Sequence, residues 1–236
     1  MVVDVRVVIT GAGRGFGRVL AIALASLGAE VVVAARNLVA AERTRDEIIA
    51  LGHHRVHAVQ CDLSDPASIR RCAEQVSDEL GYVDVLVNNA AGWLEGHDVW
   101  DADDTEIMRT ITSGVGGTVL MTKHFLPLLK RSSRPDVVTL VSSAATPRSD
   151  GVPEAHPAFY AAKHGQAGFV EVMSQRLRKA GIRMISLYPP EFEDADPAAP
   201  RTSDGKLTAQ SVVDCVVFAV GQPRDCFIRA FHFESA

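Results

Sequence analysis

The sequence predicts one α/β domain built on a doubly wound parallel sheet of about seven strands with helices on both faces, and three observations carry that expectation. Short β-branched runs alternate with helical stretches from the first residues to the last. The runs are apolar along their length rather than alternating with polar residues, which is the pattern of strands buried on both faces. The first run ends in a glycine-dense turn that opens a helix, V-R-V-V-I-T-G-A-G-R-G-F-G over Val5 to Gly17.

Val5, Val7, Val8 and Ile9 supply the first strand. Gly11, Gly15 and Gly17 let the backbone turn tightly and come close to a ligand, and Val19 to Leu27 continues as an alanine-rich helix whose first amides point over the turn. Such a strand, turn and helix make a diphosphate cradle of the Rossmann type. Glu30 to Ala35 then reads as a strand, Leu38 to Ala50 as a helix, Arg55 to Gln60 as a strand and Pro66 to Leu80 as a helix. Val83 to Asn88, Asp136 to Ser142 and Arg183 to Tyr188 are further parallel strands, interleaved with long helices near Asp104 to Lys130 and Ala158 to Lys179. A last helix, Ala209 to Val220, precedes a short strand around Phe227 to Phe233. Right-handed crossovers then place ligands beyond the carboxyl ends of the strands. The segment of about 189–206 stands apart, with Pro189, Pro190, Pro197 and Pro200 among Glu191, Glu193, Asp194 and Asp196. It reads as a flap over a site, or as an ordinary solvated loop.

A chain of 236 residues, 47% of them hydrophobic, is long enough for one domain (1–236) with a sizeable core. The net charge of -5 and the lack of any Lys/Arg run argue against a nucleic-acid surface, and no stretch suggests a membrane helix. Met1 to Ile9 is too strand-like for a signal peptide. Cys61, Cys72, Cys215 and Cys226 lack C-x-x-C spacing, so reduced core thiols, no metal site and a cytoplasmic location are expected.

The motifs together resemble the short-chain dehydrogenase/reductase family over essentially the whole length. T-G-A-G-R-G-F-G, Thr10 to Gly17, is similar to the family's T-G-x-x-x-G-x-G turn, with Gly11, Arg14, Gly15, Phe16 and Gly17 at the cofactor. Asp62-Leu63 resembles its adenine-contacting pair, and Asn88-Asn89-Ala90-Ala91 its N-N-A-G element. Val141-Ser142-Ser143 resembles the strand end carrying the active-site serine, and Lys163-His164-Gly165 the lysine end of Y-x-x-x-K. Pro189-Pro190 stands where the family has proline-glycine. The resemblance implies an oxidoreductase that interconverts a carbonyl and an alcohol on a small or medium substrate.

Charge points to the cofactor. The family's acid at the end of the second strand, which grips the ribose 2'-hydroxyl of NAD, is replaced by Ala35, and Arg36 follows it. Arg14 and Arg36 would pair with a 2'-phosphate, so NADP(H) is expected.

The resemblance also makes a phenol necessary, because a tyrosine moves the substrate proton while a lysine lowers its pKa from the same helix face. Four residues before Lys163 stands Phe159, which has no proton to give. Tyr160 lies one step further, about 100° around the helix. Gly114 replaces the family's asparagine, leaving Ser143 and Lys163 from a catalytic set of Ser143, Phe159, Tyr160 and Lys163. Three readings of Phe159 stay open: an introduced replacement of tyrosine, a native residue in a protein with little redox activity, or Tyr160 serving as acid after a local helix adjustment. Beside the oxidoreductase stand a silent NADP(H)-binding regulatory or scaffold protein and a non-redox enzyme using His97, His156, Glu95 or Glu191. The substrate pocket is expected from the segment after Ala91, the loop before Phe159 and the flap, with Trp93, Leu94, Trp100 and Phe192 as apolar candidates, though both tryptophans could equally be core. Gly114, Gly116, Gly117, Ala161, Ala162, Gly165, Ala167 and Gly168 permit close helix contact, from which the resemblance implies a homodimer or homotetramer; tight packing within one chain is the other reading.

Overall fold

The computed structural model describes residues 3–94, 96, 98–145, 155–190 and 207–234. Its centre is a seven-stranded parallel sheet of order β3-β2-β1-β4-β5-β6-β7. The strands are β1 (Arg6–Thr10), β2 (Glu30–Ala35), β3 (Val56–Gln60), β4 (Val85–Asn88), β5 (Asp136–Leu140), β6 (Arg183–Tyr188) and β7 (Ala230–His232). The helices are α1 (Gly15–Ser26), α2 (Leu38–Ala50), α3 (Pro66–Leu80), α4 (Asp104–Ile111), α5 (Gly117–Leu129), α6 (Pro157–Leu177) and α7 (Ala209–Gly221). The strand order reverses between β1 and β4, the switch point at which a crevice opens beyond the carboxyl ends.

Side-chain alternation along each strand divides the core into two layers. Val7, Ile9, Val31, Val33, Val85, Val87 and Val138 meet α1, α2 and α7 on one face. Val8, Val32, Leu86, Val137 and Met184 meet α3, α5 and α6 on the other. Burial on both faces is why these runs carry no polar alternation, and each buried Val or Leu contributes about 1.5–3 kcal/mol.

Several expected bounds shift. The first helix begins at Gly15, inside the glycine turn, and not at Val19. The long helix expected near Asp104 to Lys130 is interrupted by a π-helical turn over Thr112–Gly116, where Gly114 and Gly116 weaken the regular helical hydrogen-bond pattern. The last strand contracts to Ala230–His232, with only Ser186, Leu187 and Tyr188 of β6 as partners. Cys61 and Cys72 are buried as expected, Cys215 on α7 is half-buried and packs against the core, and Cys226 in the turn after α7 is half-buried.

The amino end of β5 is clamped. Asp136, 1% exposed, receives Arg183 Nε at 2.8 Å and Nη2 at 2.6 Å, and Arg224 Nη1 at 2.7 Å. Two guanidinium groups offset the desolvation of one buried carboxylate.

Candidate active site

The cradle is built from backbone. Gly11 has φ +67, and a Cβ there would stand 2.7 Å from Ala90 Cβ; at Gly17 it would stand 2.6 Å from both Asn89 Nδ2 and Gly11 O. No side chain fits at either place. Thr10 Oγ1 accepts from the amides of Asn89 and Ala90 at 3.0 and 3.2 Å, and Asn89 Nδ2 donates to Thr10 O at 2.8 Å. The carboxyl ends of β1 and β4 are thereby locked around the turn.

The N-terminus of α1 is open. Arg14 at its N-cap is extended and makes no side-chain cap, and the first turn carries no acid. By contrast α2, α3, α4, α6 and α7 are capped by Asn37, Asp65, Asp103, His156 and Thr208. A helix mouth with no side-chain cap, no acid in its first turn and glycines beneath it suits a diphosphate.

Around that mouth, Arg14 and Arg36 are exposed and enter no ion pair among the described residues, whereas Arg18 is held by Glu47. Asp62 Oδ1 accepts from Ser64 N and Oγ at 2.9 and 2.6 Å, and Leu63 packs on Gly117, where a Cβ would lie 2.8 Å from Leu63 Cβ. Phe16 is buried under the turn.

The second half of the site is the wall formed by the end of β5 and the start of α6. Ser142 adopts φ +83, a left-handed backbone unusual for serine and a local strain of about 1–3 kcal/mol. Val141 N and Ser142 N both donate to Leu187 O, at 2.9 and 3.1 Å, and Ser143 N donates to Pro189 O at 2.8 Å. These bonds tie the ends of β5 and β6 together and hold that strained residue in place.

Lys163, 3% exposed, donates from Nζ to Leu140 O at 2.8 Å. Burial disfavours the ammonium and lowers its pKa to about 7. Nζ lies 5.5 Å from the Phe159 ring centroid. That ring in turn meets Trp93 edge-on at 5.1 Å and Tyr160 at 6.1 Å and 88°. Phe159 is therefore the ring facing the lysine, with Tyr160 turned across its edge.

Gly114 lies in the π-helical turn, and a Cβ there would come within 2.8 Å of Ala162 Cβ. Its carbonyl accepts from Thr118 Oγ1 at 2.9 Å and Gln166 Nε2 at 3.3 Å, while Gln166 Nε2 also donates to Thr118 Oγ1 at 2.6 Å. Gly165 meets Val115 comparably closely, at 3.0 Å from an added Cβ. Gly114, Gly117 and Gly165 thus serve packing within the chain, and a Cβ at Gly168 would meet nothing within 4 Å.

Trp93 and Trp100 are 57% and 81% exposed, so the core reading of both is wrong. Trp93 leans on Phe159 of α6, and Trp100 lies in the short turn Val99–Asp101. Glu95, His97, Glu191, Phe192, most of the loop before Phe159 and the flap after Pro190 lie outside the described residues. His156 caps α6, its Nδ1 accepting from Ala158 N at 3.1 Å, so its neutral tautomer carries the proton on Nε2. The sequence reading missed Ser142, Gln166 and Thr118. Gln166 could have been found, since it lies three residues past Lys163 on the same helix face. A separate groove of about 260 Å³, lined by residues including Glu171, Ser186 and Arg229, lies toward the β7 edge and not at the switch point.

Comparison with known proteins agrees with this fold. The family model described as short chain dehydrogenase matches residues 5–204. Epidermal retinol dehydrogenase 2 of Mus musculus is 35% identical over 167 residues, 71% of this chain and 52% of that protein. The chain thus spans about half the length of that relative. Farnesol dehydrogenase of Aedes aegypti is 28% identical over 221 residues, 92% of this chain and 89% of that protein. A metagenomic short-chain oxidoreductase solved in complex with NADP superposes with a TM-score of 0.84 at 26% identity, covering 100% of this chain and 99% of that one.

Proposed function

Since the chain belongs to the short chain dehydrogenase family, we propose that it is an NADP(H)-dependent oxidoreductase interconverting a carbonyl and an alcohol, with turnover weakened at Phe159. The observation that carries the reading is the open mouth of α1 over glycines that tolerate no side chain. Gly11, Gly15 and Gly17 would seat the pyrophosphate there, with Phe16 beneath. Asn89 and Ala90 would border the nicotinamide half, Pro189 its far side, and Asp62 and Leu63 the adenine. Arg14 and Arg36, unclaimed by any described carboxylate, would pair with a 2'-phosphate. Bound there, the reduced dinucleotide supplies hydride chemistry.

The chain's own residues do the rest. Ser143 would hydrogen-bond the substrate oxygen and Lys163 the ribose hydroxyls. Phe159 and the exposed Trp93 give the wall an apolar surface, which suits a medium-sized apolar alcohol or carbonyl, the kind named in the retinol and farnesol dehydrogenases. Loss of a general acid costs about 10²–10⁴ in rate, so residual turnover is expected.

A second reading is favoured by one observation: the ring that faces Lys163 is Phe159, which carries no hydroxyl. The protein would then bind NADP(H) as a silent regulatory module. Phe159→Tyr separates the two. The oxidoreductase predicts that this variant consumes NADPH with a panel of carbonyls at least about tenfold faster than the parent. No turnover by either protein, with NADPH still bound, selects the silent binder. For assembly, the exposed Met108 on α4 and Val172 on α6, together with the open Gly168, favour a homodimer or homotetramer through these helices, which a solution mass measurement checks.

A further inference from the structure

We propose that Lys163 Nζ itself gives and takes the substrate proton at this site, in place of the absent phenol. The proposal deepens the oxidoreductase reading and rests on it.

The amine is positioned for the task. It stands against the ring that lacks a hydroxyl, 5.5 Å from its centroid, and one hydrogen bond, to Leu140 O, fixes it from behind. An ammonium has three donors, and among the described residues the other two meet no acceptor. Gly114 O, which could have drawn it away, is taken by Thr118 and Gln166.

A refilling route lies beneath it. Asn88 Oδ1, Thr139 Oγ1 and Gln166 Oε1 are buried with no partner among the described residues. Asn88 and Thr139 are register neighbours on β4 and β5. By alternation they share the face of Leu86 and Val137, which is the face covered by α5 and α6. Gln166 joins that seam from α6, one turn past Lys163, and Thr139 directly precedes the residue whose carbonyl holds Nζ. Buried polar atoms without protein partners are normally met by ordered water, so the seam forms a wet path under the lysine.

The step balances. As the carbonyl carbon takes the hydride, one N–H bond of the ammonium breaks with its electron pair staying on nitrogen, and an O–H bond forms on the substrate. The neutral amine then regains a proton from solvent through the seam. Burial alone sets the amine's proton affinity, which places both forms near neutrality. The charged groups on elements packed against α6 are engaged or remote: Arg183 with Asp136 at the opposite end of β6, Glu106 with Arg109 on α4, and Lys123 and His124 outward on α5. Titratable neighbours are His156, Tyr160 and His164 on α6, and Tyr188 on β6, which stacks on His232.

The test uses the whole chain labelled with [ε-¹³C]lysine and saturated with NADP, assigned through Lys163→Arg, together with the pH dependence of NADPH-driven ketone reduction. The proposal expects one lysine resonance titrating near 7 that vanishes in Lys163→Arg. It expects a reduction rate falling tenfold per pH unit above that midpoint, a loss of at least about 10² in Lys163→Arg, and a midpoint that persists in Tyr160→Phe. A Lys163 midpoint near the ordinary value of about 10.4, a flat rate profile, or a profile that disappears in Tyr160→Phe overturns it. Turnover with a flat profile removes the lysine's role alone, whereas no turnover by the parent or by Phe159→Tyr removes the oxidoreductase reading with it.

Discussion

The mouths of α1 and α6 are both helix N-termini at the carboxyl edge of one sheet, yet they differ in what they leave open. At α1 the cap is absent, the first turn has no acid and glycines clear the floor. At α6 the cap is a buried histidine, and the first turn is filled by Phe159 against Trp93. Holding an anion needs only amides and space, which backbone supplies. Moving a proton needs a particular atom at a particular point, and one side-chain change removes it. The molecule therefore presents an uncapped, glycine-floored helix mouth beside a wall whose ring carries no hydroxyl.

The largest test of that contrast is Gly17→Ala, whose added methyl would stand 2.6 Å from Gly11 O and Asn89 Nδ2. NADPH affinity should fall about 100-fold, about 2.7 kcal/mol, by fluorescence titration of a protein whose circular dichroism is unchanged. An unchanged Kd would break the contrast at the α1 mouth.

Next is the pH dependence of stability. Lys163 has a folded-state pKa of about 7, below its unfolded value, so the unfolded chain binds more protons above pH 7 and stability rises with pH. Relative to Lys163→Met, the ligand-free parent should gain about 1.4 kcal/mol per pH unit between about pH 7.5 and 9.5. Urea unfolding of both proteins measures it, and parallel curves would mean a normally charged lysine.

Gly114→Asn should destabilise by about 1–3 kcal/mol through overpacking against Ala162, with Ala162→Gly recovering part of the loss. Thermal unfolding of the single and double variants reads this. The smallest effect is expected from Arg36→Ser, which should weaken NADPH about tenfold while leaving NADH unchanged, since an exposed cation meets its phosphate in high dielectric. Equal losses for both cofactors would detach Arg36 from the 2'-phosphate.

Most of the fold was legible because buried parallel strands are written as β-branched runs and their helices as long apolar stretches. The strands Glu30–Ala35 and Arg183–Tyr188 and the helices Leu38–Ala50 and Pro66–Leu80 have the expected bounds. The interruption at Thr112–Gly116 was not legible, since a π-helical turn keeps helical composition and changes only the hydrogen-bond step. In the site, motif spacing marked the glycines and the lysine, and register put Phe159 before Lys163. The closeness of Gly114 to Ala162, and the atoms of Asn88, Thr139 and Gln166 that meet no partner among the described residues, depend on how helices dock, which no local pattern encodes.

The meeting of Gly114 with Ala162 also orders the routes by which polar groups could be added to the wall. A phenol at position 159 needs only one oxygen at the edge of an existing ring. An amide at position 114 needs two backbones to part first. Adding both groups is thus a sequence of dependent steps, in which the hydroxyl can be added alone and the amide must wait for a smaller neighbour at position 162.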